Sequence, residues 1–236
     1  MGWFRRRKNT EAVAESVPEQ EVAEGVDGVD SVAGAESGAG APQVAAGEQE
    51  VDYRLNGPWD ISEVATTEDL VDAGALQIPL LPGAQLQFTT DAQQQNIIGV
   101  VYIKNGSALQ LQAFAAPKSQ GIWDSVRLDM RSSIAKQGGS SQEVVGSFGK
   151  ELEAQMPLPD SKKFAPHRFL GIDGPRWLLR VSLYGKAGYD KQASQEMLSV
   201  LEKLVINRGE APFPPRELLP LHLPKGDFMA REMPQQ

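Results

Sequence analysis

Arg176 and Arg180 lie four residues apart in an alternating segment that also carries Tyr184, with His167 a short way upstream. Guanidiniums grip carboxylate and phosphate oxygens in pairs, so two on one sheet face, about 13 Å apart in an extended strand, have the chemistry of an anion clamp. A turn at Asp173-Gly174 predicts a hairpin of Arg168–Ile172 with Arg176–Tyr184, in which Gly171 faces Arg176, Phe169 faces Leu178 and His167 faces Arg180. Leu170, Ile172, Trp177, Leu179, Val181 and Leu183 then share a core face, and His167, Arg176, Arg180 and Tyr184 share the opposite one. Gly171 has no side chain and leaves room for a ligand or another backbone to approach. The competing expectation is structural, with Arg176 and Arg180 in ion pairs to Glu151 or Glu153.

Other chemistries find little support. Gly146-Ser147-Phe148-Gly149-Lys150 superficially resembles a phosphate loop, but it lacks the four-residue spacer and Glu151 follows the lysine. It reads as a strand-to-strand corner. Cysteine is absent, which excludes disulfides, thiol nucleophiles and thiolate metal sites, and the two histidines, His167 and His222, are far apart. No nucleophile elbow, His-x-x-x-His or paired-carboxylate motif stands out, so no catalytic residue, metal or cofactor is expected. Asn105-Gly106-Ser107 has the form of a glycosylation sequon and is explained by a turn.

The elements that must position these residues are legible from period and punctuation. Asp60 after Gly57-Pro58-Trp59 is a cap for a short helix through about Val71, ended by Gly74. Strands are expected at Leu76–Leu81 and Gln85–Thr89, split by Pro82-Gly83. Ile97–Lys104 and Ser107–Phe114 flank Asn105-Gly106, the preferred pair for a two-residue type I′ hairpin, with Tyr102 opposite Leu109 and Val100 opposite Leu111. Ile122, Val126, Met130 and Ile134 make the core stripe of a helix over residues 121–137, with Asp124, Arg127, Asp129 and Arg131 on its other faces. Strands at Glu143–Phe148 and Lys150–Met156 precede the hairpin described above. Asp190 then caps a second helix through Asn207, with the stripe Ala193, Met197, Leu201, Leu204 and Val205. Pro212–Pro224 is too proline-rich for a helix or central strand and suggests an extended strap, packed on its own body or a neighbour's. The sum is an α+β domain with a mainly antiparallel sheet and two long helices. Its order of elements resembles that of the Mog1/PsbP-like α/β/α sandwich, an analogy that carries no function.

Charge divides the chain. Residues 9–52 hold 11 acids and no Lys or Arg, while Arg5, Arg6, Arg7 and Lys8 form a basic tip. Of 31 acids and 23 bases, residues 53–236 keep 20 and 19, so the overall acidity comes from the leader. A basic tip (1–8), a disordered acidic linker (9–52) and a single globular domain (53–236) are the expected organisation. The tip lacks an apolar stretch behind it, which argues against a signal peptide and for a cytoplasmic chain. Four charges with Trp3 and Phe4 are too few for stable membrane anchoring, and a nearly neutral domain lacks the electrostatic footprint of nucleic-acid binding.

Several uncommon motifs occur in order: Gly57-Pro58-Trp59-Asp60, Gly146 to Leu152, Gly171 to Arg180, Arg208-Gly209-Glu210-Ala211-Pro212-Phe213, and Leu218 to Pro224. Together they resemble an actinobacterial family of unknown function across nearly the whole of the expected domain. The resemblance implies a soluble protein with no catalytic residues to carry over, and marks Glu151, Asp173, Arg176, Trp177, Arg180, Arg208 and Arg216 as positions of fold or site. The expected function is a non-enzymatic protein-interaction module using the arginine-bearing sheet face or the strap. The alternative is an enzyme or sensor for a small anionic metabolite, with His167 and Tyr184 as acid and base.

Overall fold

The computed structural model describes residues 53–159 and 161–224; the expected basic tip and acidic linker lie outside them. Its strands are β1 (Trp59–Asp60), β2 (Val71–Asp72), β3 (Leu76–Ile78), β4 (Gln85–Thr90), β5 (Ile97–Lys104), β6 (Ser107–Ala115), β7 (Ser140–Gly146), β8 (Gly149–Pro157), β9 (Phe164–Gly174), β10 (Trp177–Gly185) and β11 (Val205–Ile206). Two α-helices accompany them, α1 (Trp123–Lys136) and α2 (Lys191–Leu198). The class is α+β, as expected.

Seven strands form one antiparallel sheet in the order β4-β5-β6-β10-β9-β8-β7. Its most local pairing is the β5–β6 hairpin. Asn105 and Gly106 both take positive φ, 50° and 74°, which the type I′ turn demands, and Tyr102 and Val100 pair with Leu109 and Leu111 as expected. Alternation sends Leu109, Leu111, Leu170, Ile172, Trp177, Leu179, Val181 and Leu183 to one face, here called inner. A second sheet, β1-β11-β3-β2, contributes Leu76, Ile78 and Ile206 to the same core, with Met197, Val200, Leu201 and Leu204 from α2 and the turns after it. Within that sheet β1 and β11 are parallel and the other pairs antiparallel.

Two expected helices are corrected. Asp60 does cap, accepting from the Ser62 N–H at 3.0 Å while Glu63 accepts from the Asp60 N–H at 2.7 Å. The helix it starts is a single 3-10 turn, Ile61–Glu63. Val64-Ala65-Thr66-Thr67 supplies no apolar stripe to continue it, and the chain reaches β2 through a turn closed by the Leu70 N–H donating to the Thr67 carbonyl. Asp190 likewise caps α2, accepting from the Ala193 N–H at 2.7 Å, but the α-helix ends at Leu198 and a 3-10 turn, Ser199–Glu202, follows. Val205-Ile206 is needed as the strand between β1 and β3, and β-branched residues in a central strand outweigh the helical period.

The strap packs on its own body. Where β5 ends its pairing with β6, residues 216–219 take over: the Ala115 N–H donates to Glu217, and the Arg216 and Leu219 N–H groups donate to Ala115 and Ala113. Leu221 bridges to both Ile97 and Gly74, and Leu219 is buried. One extended segment therefore joins the two sheets.

Among the described residues the outer face of the large sheet is only partly covered. Helix α1 lies across β7, β8 and β9, with Ile134 against Leu152 and Ala154, and Trp123 and Ile122 against Leu178. Among the described residues no other element packs on that face.

Candidate functional site

The β9–β10 hairpin decides which predicted residues meet. Its turn is Pro175-Arg176, not Asp173-Gly174: Trp177 pairs with Gly174, Leu178 with Asp173, Arg180 with Gly171 and Ser182 with Phe169. Proline followed by a residue at φ 64° is the order of a type II turn. The two residues expected in the turn are used elsewhere. Asp173 accepts from the Ile122 and Trp123 N–H groups at 2.8 and 3.1 Å, capping α1 from across the sheet. Gly174 lies beneath the Trp177 ring, where a Cβ would come within 2.1 Å of Cζ2.

The shift is even, so the predicted faces survive although the predicted partners do not. His167, Arg180 and Tyr184 do share the outer face. Arg176 leaves it for the exposed turn, and the two-guanidinium clamp on the sheet is not formed. The room above Gly171 is also filled: Trp123 lies on it, and a Cβ there would come within 2.0 Å of the ring. Glu151 points to the inner face, fully buried, and receives Arg168 Nη2 at 2.5 Å; Arg168 also donates to Ser194 on α2 at 2.7 Å. Neither Glu151 nor Glu153, which accepts from Gln142, serves as the counter-ion proposed for Arg176 and Arg180.

The remaining outer-face residues form one surface. Arg180 donates from Nε to Gln112 Oε1 at 3.1 Å and again from Nη2, and lies 5.1 Å from the Phe114 ring centroid. His167 stacks against Phe169 and Tyr184, with centroids at 5.8 and 5.5 Å. Burial holds the His167 imidazole below its ordinary value, against a hydrogen bond to the Ala165 carbonyl, and burial raises the Tyr184 hydroxyl. Between these long side chains the floor is small, with Gly99, Val101, Ala108 and Ser182 all buried beneath their neighbours. Sequence reading missed Gln112, Phe114 and Phe169. The β6–β10 pairing that brings Gln112 opposite Arg180 joins strands 68 residues apart, and no local pattern announces it.

At the rim of α1, Arg127 is buried rather than solvated. It pairs with Asp124 at 2.5 Å and Glu143 at 3.5 Å and lies near the Trp123 ring. Among the described residues no group of His, Cys, Asp and Glu could hold a metal ion, and no helix is long and apolar enough to cross a membrane.

Residues 57–228 match a family model described as a protein of unknown function (DUF3710). The chain belongs to that family. The match takes in every strand, both helices and the strap. No curated protein and no solved structure matches the chain, so the likeness to the Mog1/PsbP-like sandwich remains one of element order. Within the family stretch the motifs have distinct structural work. Trp59 Nε1 donates to the Glu202 carbonyl at 2.8 Å, and Trp177 Nε1 donates to the buried Asp60 carboxylate at 2.8 Å, both tying β1 into place.

Proposed function

We propose that this protein is an interaction module that docks another protein on the uncovered half of its outer sheet face. One observation carries the reading: α1 covers β7, β8 and β9, and the part of β5, β6 and β10 beyond it has no covering element among the described residues. That surface has the composition of a contact patch. Tyr184 is partly exposed on it, and its arginine is braced by an amide and a ring. Side chains already held by neighbours lose less entropy on binding, which favours a preorganised surface. The ring-to-ring stacking of His167 with Phe169 and Tyr184 suits contact better than proton transfer.

The test is an affinity capture with identification of the bound protein, comparing wild type, the double variant Arg180→Glu/Gln110→Glu, and Lys136→Glu on α1. Gln110 and Arg180 both sit on the uncovered half, whereas Lys136 is exposed at the end of the helix. A partner held by wild type and Lys136→Glu but lost from the folded double variant supports the proposal. A partner retained by the double variant, or none captured by wild type, rejects it.

A further inference from the structure

The two ends of the seven-stranded sheet are guarded unequally. Among the described residues β4 pairs only with β5 and β7 only with β8, so each presents a second edge of outward-facing backbone N–H and C=O groups. The pairing of β7 runs without irregularity from Ser140 to Gly146, and its central residue is Glu143. That carboxylate is held by Arg131 at 2.9 Å and lies 3.5 Å from Arg127 Nε, which fixes a charge at the middle of the edge. Like charges set directly opposite one another oppose strand pairing, and charged side chains are one of the devices that keep an edge single.

Strand β4 carries no such charge. Its sequence, Gln85-Leu86-Gln87-Phe88-Thr89-Thr90, contains neither a charged residue nor a proline, and no charged residue occurs between Asp72 and Asp91. Leu86 and Phe88 pack on the core from the inner face and stay only partly buried, with no strand beyond them among the described residues. Gln85 and Gln87 are exposed on the outer face. The regular part of the strand is Gln85–Thr89, opposite Ile103–Gly99, and a register shift between Thr89 and Thr90 ends it. Gln87 is the centre of that regular part.

Symmetry and alternation then select an occupant and a register. A two-fold axis normal to the sheet sets two copies of β4 antiparallel with inner face beside inner face. Opposed residues must point the same way, so the axis passes through a residue rather than between two. On Gln87 it sets Gln87 against itself, Leu86 against Phe88 of the second copy, and Gln85 against Thr89 of the second copy. All five regular residues are used, the apolar pair covers what the edge leaves open, and no charge meets its like. The same operation centred on β7 would set Glu143 against itself.

We propose that two copies of this chain pair antiparallel through β4, about an axis at Gln87, and join their large sheets into one. The contact is independent of the protein-docking face, which lies on the broad side of the sheet. Sedimentation velocity of the full chain over a dilution series tests it, with circular dichroism to confirm that each variant is folded. Wild type should sediment as a dimer that dissociates on dilution. Gln87 is exposed, so a charge there leaves the fold intact, yet the axis sets two like charges together. Gln87→Lys and Gln87→Glu should therefore each be monomeric, and an equal mixture of the two should regain the dimer mass. Arg180→Glu/Gln110→Glu, altered on the broad face alone, should dimerise as wild type does. A monomeric wild type, a dimer that Gln87→Lys leaves intact, a mixture that stays monomeric, or a dimer lost in Arg180→Glu/Gln110→Glu overturns the proposal.

Discussion

The two halves of the outer sheet face are made from the same kind of strand and end up opposite in character. On the covered half, every feature serves α1: Leu152 and Ala154 receive Ile134, Gly171 receives the Trp123 ring, and Asp173 caps the helix start. On the other half, Gly99 lies against the Gln112 and Thr89 side chains, and Ala108 and Ser182 are buried beneath the long side chains of neighbouring strands. Small residues mean different things in the two places. Beneath α1 they fit a helix, and beyond it they fit the long side chains of neighbouring strands. A glycine in a strand therefore points to close approach without saying whether the approaching group comes from a helix or from a neighbouring strand.

The comparison is broken most severely at Gly171. Gly171→Val forces the Trp123 ring off the sheet, and we expect a loss of about 3 kcal/mol or more in urea unfolding, or no folded protein at all. A loss below about 1 kcal/mol would mean that α1 is not anchored there. Asp173→Ala removes two donors' acceptor from the start of α1 and should cost about 1–2 kcal/mol by the same measurement. Burial holds the Asp173 carboxyl above its ordinary value despite those two N–H groups. Its ionised form is accordingly less well tolerated folded than unfolded, and the stability linked to its titration is lost as pH rises through the folded value.

On the uncovered half the same scale of change should be missing. Arg180→Glu/Gln110→Glu alters charge on a part of the face that no other element among the described residues covers, and we expect unfolding to shift by less than about 1 kcal/mol. A larger loss would show that the Arg180–Gln112–Phe114 contact braces the sheet rather than presenting a surface. The smallest effect is expected at His167. Its imidazole is depressed below 6.5, so the folded state favours the neutral ring, and the associated stability is present above that value and declines as pH falls through the folded one. His167→Phe should therefore flatten the fall in stability as pH drops below about 6.5. Parallel pH curves for the two proteins would indicate that the ring is protonated as easily folded as unfolded.

What could be read from the chain follows the range of the forces involved. The Asn105-Gly106 hairpin was legible to the residue because both turn positions need positive φ and the strands alternate cleanly. The same reasoning misplaced the next turn by two residues, because Asp173 and Gly174 carry turn chemistry and are claimed by α1 and Trp177 from elsewhere in the fold. The faces of that hairpin were still correct, since an even shift preserves alternation. His167, Arg180 and Tyr184 were thus grouped rightly, while Arg176 and Gly171 were not.

The strap has a consequence for how the protein is made. It follows, in chain order, every strand it binds, so during synthesis β6 and the turn before β3 wait with unpaired backbone groups at Ala113, Ala115 and Ala75. The groove that receives Leu219 stays open for the same interval. Domains begin to fold as they emerge at about 5–20 residues per second, and the backbone bonds by which the strap spans this one's two sheets form only after residues 216–222 have left the ribosome. A chain interrupted before that point would carry an open apolar seam and free strand edge, the features by which cells recognise unfinished proteins and remove them.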